Sequence, residues 1–85
     1  DDPLTRLALS LGTPSRDAAL REEVETLTRA LAKLSEEDRR LVEWVHLEGL
    51  SHARVAERLG TSEVASRKAL SRALARLSKL IAREC

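Results

Sequence analysis

Eighty-five residues give room for one domain with a single modest core. One Trp and no Phe or Tyr leave Leu, Ala and Val to fill that core, which favours helix on helix over sheet. The net charge of +1 hides a split: residues 1–50 carry 7 Lys/Arg against 11 Asp/Glu, and residues 51–85 carry 8 against 3. The chain is therefore an electrostatic dipole whose basic end attracts phosphate.

Other classes are disfavoured in the same way. No apolar run is long enough for a membrane span, and no leader of charged then apolar residues opens the chain, so a cytoplasmic protein is expected. Cys85, alone at the chain end, has no second cysteine to bridge. The first residue is Asp1 rather than Met, which points to a piece of a longer protein.

Residues 1–14 hold Leu4, Leu7, Leu9 and Leu11 ahead of Gly12-Thr13-Pro14 and read as a partly disordered linker with at most one helical turn. Ser15 then reads as an N-cap with Asp17 in the first turn, where the helix dipole favours an anion. Ala19, Leu20, Val24, Leu27, Leu31 and Leu34 follow at the three- and four-residue spacing of one helix face. Ser35 breaks that helix and caps the next, with Glu36, Glu37 and Asp38 on the free amides of its first turn. This second helix carries Leu41, Val42, Trp44, Val45 and Leu47 and ends at Gly49.

Ser51 starts a short third helix, amphipathic through Val55, Ala56 and Leu59 and stopped by Gly60. Small residues at Ala53, Ala56 and Gly60 suit two helices that cross steeply at a tight turn. Thr61 or Ser62 caps the fourth helix, whose apolar stripe is Leu70, Ala73, Leu74, Leu77, Leu80 and Ile81. Arg67, Lys68, Ser71 and Arg72 lie off that stripe. The expected architecture is an all-α, four-helix domain over residues 15–85 with a C-terminal helix-turn-helix.

Residues 31–80 resemble region 4 of bacterial sigma-70 family factors, and most of all the extracytoplasmic-function type. The resemblance rests on an ordered set. It begins with Leu34-Ser35-Glu36-Glu37-Asp38-Arg39 and Leu47-Glu48-Gly49-Leu50-Ser51. It continues with Ala56-Glu57-Arg58-Leu59-Gly60 and Ser62-Glu63, and closes on Leu70-Ser71-Arg72-Ala73-Leu74-Ala75-Arg76-Leu77. The residues 12–15 also resemble the linker that precedes region 4. This resemblance implies recognition of the promoter −35 element and work with RNA polymerase core, docked through the flap of its β subunit. It further implies an anti-sigma factor as a possible regulator.

Three departures from the family pattern stand out. Arg54 replaces an acid in the third helix and adds a phosphate-seeking group. Ser66 occupies an aliphatic packing position, where its hydroxyl needs a partner, expected to be the carbonyl of Ser62. Ala69 stands where Arg is common, deleting one backbone contact. These changes bear on sequence preference more than on fold.

Major-groove geometry assigns the roles. Residues near the start of the reading helix reach base edges and later ones meet phosphate. The base-facing set is Ser62, Glu63, Arg67 and Lys68. The backbone set is His52, Arg54, Ser71 and Arg72. Trp44 is read as core, with a polymerase contact as the alternative. His46 and His52 lack the surrounding ligands of a metal site, and no nucleophile turn or phosphate loop accompanies the Ser, His and acid residues. No metal, cofactor, small-molecule substrate, membrane contact or catalysis is therefore expected. Two other readings share these features: a response-regulator type helix-turn-helix, which lacks the Arg-Ala-Leu-x-Arg-Leu ending, and a sigma mimic that binds an anti-sigma factor and not DNA.

Overall fold

A computed structural model describes residues 3–11 and 17–84, and these are helical throughout apart from short turns. The elements are α1 (Pro3–Ser10), α2 (Asp17–Lys33), α3 (Glu36–Val42) continuing into a π-helical turn (Glu43–Leu47), α4 (His52–Leu59) and α5 (Glu63–Glu84). The expected cap at Ser15, the 12–14 linker and the side chains of residues 17–20 lie outside what is described.

The domain has one helix more than the sequence pattern suggested. Residues expected to be linker form α1, whose Leu7 and Ala8 are 2% and 1% exposed. Pro3 opens the helix, where its missing N–H costs no hydrogen bond. The Leu11 N–H closes it by donating to the carbonyls of Leu7 and Ala8. The reason for the misreading is visible in the spacing. Leu7, Leu9 and Leu11 alternate like a loop or strand, but only Leu4, Leu7 and Leu11 belong to the helix stripe, and Leu9 is 45% exposed. α1 packs on α2 and on the π turn.

The helix starts are set by serine hydroxyls. Ser35 Oγ accepts the Asp38 N–H at 3.2 Å, and Ser51 Oγ accepts the Arg54 N–H at 3.2 Å. Ser62 Oγ accepts the Ala65 N–H at 3.1 Å, which decides between Thr61 and Ser62 as the cap of α5. Gly60, at φ 67° and ψ 37°, ends α4 in the left-handed conformation. Its N–H donates to Glu57 and the Thr61 N–H donates to Ala56, the paired bonds of a Schellman ending. A Cβ on Gly60 would meet nothing within 4 Å, so the glycine serves the backbone angle and not close helix approach. Of the three small residues expected at a tight crossing, only Ala56 is buried, and Ala53 is exposed.

α3 was expected to run as one plain helix to Gly49. It stops at that glycine, but over residues 43–47 it widens: the Glu48 N–H reaches five residues back to the Glu43 carbonyl at 2.8 Å, and the Leu50 N–H six back to Trp44 at 2.8 Å.

α5 is the element on which the others assemble, packing against α2, α3 and α4. Leu70, Ala73 and Leu77 on its inner face join Leu27, Ala30 and Leu31 of α2, Leu41 and Val42 of α3 and Val55 of α4 in one core. Leu74, Leu80 and Ile81 flank the seam half-buried. Leu59, expected in the core, is 43% exposed because cover from neighbouring helices runs out at the last turn of α4. Ser66 lies fully inside, yet its hydroxyl has no hydrogen-bond partner. The expected bond to Ser62 is absent; that carbonyl accepts the Ser66 N–H instead, at 3.0 Å.

A long-range tie completes the fold. Arg76 Nη1 donates to both carboxylate oxygens of Asp38, at 3.0 and 2.8 Å, linking the middle of α5 to the first turn of α3. The Asp38 side chain is 10% exposed and that of Arg76 59%. Removing the arginine would strand a buried carboxylate, whereas removing an exposed ion pair would cost little.

Two stability changes are expected. Arg76→Ala lowers unfolding free energy by about 1–3 kcal/mol in urea titrations, below the full cost for a buried pair because the guanidinium is largely solvated. Ser66→Ala raises it by about 1 kcal/mol, seen as a Tm increase of roughly 4–8 °C, since an unbonded buried hydroxyl is removed. A lower Tm for Ser66→Ala would show that the hydroxyl is bonded after all.

Candidate nucleic-acid interface

The two helices of the motif are joined through Gly60, Thr61 and Ser62, whose geometry is held by the Schellman bonds at one end and the Ser62 cap at the other. At about 100° per residue, the inward positions Ser66, Leu70, Ala73 and Leu77 place Val64, Lys68, Ser71 and Ala75 on the opposite side of α5. Lys68 and Ser71 on that side and Arg67 and Arg72 on its flanks are exposed, and Ser62 and Glu63 are exposed at the open start of the helix. The four expected base-facing residues are therefore all open to solvent at the start of α5, spread from its flank to the side opposite the core. Ser71 and Arg72 follow one turn later, about 15 Å from Ser62 along the axis.

The expected backbone residues of α4 divide. Arg54 is exposed, while His52 is half-buried with its Nδ1 enclosed and without a hydrogen-bond partner. Ala69, expected to lack a backbone contact, is half-buried against the core and not on the outward face.

All the cations of residues 51–85 are exposed, but two of them are also engaged within the domain. Arg76 is held by Asp38, and the Arg58 guanidinium lies 5.2 Å from the centre of the Trp44 ring, within cation–π range. Trp44 itself packs half-buried against the core. Arg67 and Glu63 pair one turn apart at 3.7 Å, both more than half exposed, an interaction that water and salt weaken to little. The Ser62 oxygen already accepts the capping amide, which leaves its O–H free to donate elsewhere.

Neither inward tie was readable along the chain. Asp38 and Arg76 are 38 residues apart, and periodicity placed Arg76 simply off the apolar stripe. Trp44 and Arg58 lie on different helices. The one hint was the acid-rich first turn of α3, which helix capping alone explains.

His46, in the π turn, has its Nε2 enclosed without a partner. Burial, and secondarily the neighbouring His52, hold its pKa below the usual 6.5. Among the described residues, no three His, Cys, Asp or Glu side chains gather as a metal site would require. No helix among them is long and apolar enough to cross a membrane.

Residues 25–77 match the family model described as Sigma-70, region 4. The chain belongs to that family. The match takes in the second half of α2, the Asp38–Arg76 tie and α5 as far as Leu77, and leaves α1 outside. No curated protein and no solved structure matches the chain. As a sigma-70 region 4 domain it is a helix-turn-helix, DNA-binding part of a sigma factor, a class that serves transcription initiation through promoter DNA and RNA polymerase core.

The low pKa of His46 gives this region 4 domain a pH dependence of definite sign. Below about 6.5 an unfolded chain takes up the proton before the folded one does, so acid favours unfolding. The urea midpoint is expected to fall between about pH 7 and about pH 5.5, and to fall less in His46→Gln. Equal slopes in the two proteins would assign the acid sensitivity to other groups.

Proposed function

We propose that α5 enters the major groove of promoter DNA at the −35 element and that the domain thereby directs RNA polymerase to the start site. The observation that supports this reading is the exposure of Ser62, Glu63, Arg67 and Lys68 at the start of α5, with Lys68 directly opposite the Leu70–Ala73–Leu77 core seam and Arg67 on its flank. Arg67 donates in bidentate fashion to O6 and N7 of a guanine, and Glu63 accepts from the amino group of a cytosine. Their mutual pair is weak enough to be exchanged for these contacts at small cost. Lys68 and the Ser62 hydroxyl supply further donors. Arg54, Ser71, Arg72 and, more weakly, His52 hold the sugar-phosphate backbone.

The domain works by binding and carries out no chemistry of its own. Its protein partner is RNA polymerase core through the β-subunit flap, and an anti-sigma factor is the regulator this arrangement suits. The cytoplasm, where promoter DNA and polymerase core meet, is its place of action. One small domain presents few contacts, so tight, specific binding needs the polymerase.

The test is a footprint of the protein with RNA polymerase core on promoter DNA. Protection near −35 is expected, lost in Arg67→Ala/Lys68→Ala, while the double variant keeps its thermal stability. With about four phosphates neutralised, log K should fall against log salt with a slope near roughly −3.6. Protection that survives the double substitution would sink the base-facing assignment. No protection, with tight binding to an anti-sigma factor, would favour a sigma mimic.

A further inference from the structure

Val64 is 62% exposed, the largest exposure among the large apolar side chains described; Leu9 and Leu59 reach 45% and 43%. It stands in the first turn of α5 beside Glu63, with Arg67 and Lys68 one turn on. The buried Ser66 and Leu70 lie on the other side of the helix, so no adjustment within the folded domain brings Val64 into the core. It does little for the helix either, since an exposed β-branched residue is a poorer helix former than Ala.

Single exposed apolar residues are common on protein surfaces. The surroundings of Val64 are less ordinary. It is the one bulky apolar group among the exposed residues 62–65, 67 and 68, and Arg67 and Lys68 are its neighbours one turn on. Ser62, Glu63, Arg67 and Lys68 recognise bases through hydrogen bonds, with guanine and cytosine as the natural partners of Arg67 and Glu63. None of them is Asn or Gln, the side chains that pair in bidentate fashion with adenine. A·T pairs would go largely unread by that set. The one apolar mark on the floor of the major groove is the C5-methyl of thymine, which only an apolar side chain can sense. A residue in the first turn of a helix laid in that groove is placed to reach a base edge.

We infer that Val64 is a specificity-determining residue that packs against the C5-methyl of a thymine in the −35 element. This rests on α5 being the −35 reading helix. The contact gives the domain its A·T discrimination, and Arg67 and Glu63 give G·C discrimination.

The experiment begins with sites selected from random DNA by the protein assembled with RNA polymerase core. In the selected site each thymine is replaced in turn by uracil, which removes the methyl and leaves pairing and the other groove groups unchanged. Wild type is expected to lose about fourfold in affinity at one thymine, the worth of one buried methyl. Val64→Ala is expected to bind the thymine and uracil forms of that position equally, while keeping its response to guanine substitutions in the same site. Circular dichroism of Val64→Ala should match wild type, because the side chain is solvent-exposed. A selected site with no uracil-sensitive thymine, or a uracil penalty unchanged in Val64→Ala, overturns the assignment to Val64 and leaves α5 as the reader. Failure to select any site overturns both.

Discussion

The domain depends on one narrow seam along α5. Leu70, Ala73 and Leu77 are spaced to face a single direction, and that one direction must serve α2, α3 and α4 together. Ala73 is fully buried, which lets neighbouring helices close over a small side chain, and Leu77 beside it is equally enclosed. Full burial of a leucine side chain contributes about 1.5–3 kcal/mol, so a few such positions supply much of what a domain this small can muster. Because the seam is fixed, the opposite face of α5 is fixed as well. The direction in which the outward face points is a by-product of core packing.

The charges obey a second division, between cations that serve the fold and cations that face water. Asp38 shows how closely the two are joined. Its backbone amide is capped by Ser35 Oγ, and its carboxylate receives both bonds from Arg76. One residue thereby secures the start of α3 and fastens it to α5. Arg58 does comparable work by lying over Trp44, covering an amphipathic ring that the small core leaves half-buried. Part of the positive charge of residues 51–85 therefore also serves the fold.

Much of the fold could be read from the sequence because its signals are local. Serine caps at Ser35, Ser51 and Ser62, left-handed glycines at Gly49 and Gly60, and the stripe of α5 each lie within one or two helical turns. The exposure of Arg67, Lys68, Ser71 and Arg72 follows from the same stripe. What escaped is what local pattern cannot encode. α1 was hidden because Leu9 interposes an exposed leucine among buried ones. The Asp38–Arg76 tie joins distant positions, and whether the Ser66 hydroxyl finds a partner turns on its rotamer. Of the proposed interface, positions could be read but pairings could not: Glu63 with Arg67 is a matter of rotamers, and the half-burial of His52 depends on the π turn packed against α4.

That π turn makes the domain sensitive to length as well as to sequence. A π turn carries one residue more than the α-helix it interrupts. Loss of a single residue between Glu43 and Leu47 would let the segment relax into regular α-helix, keeping its caps and most of its apolar positions. Everything beyond would then be turned by about 100° around the helix axis and drawn back by about 1.5 Å. Val55 would leave the seam it shares with Leu77. The extra residue sets the angle at which the chain leaves α3 for α4.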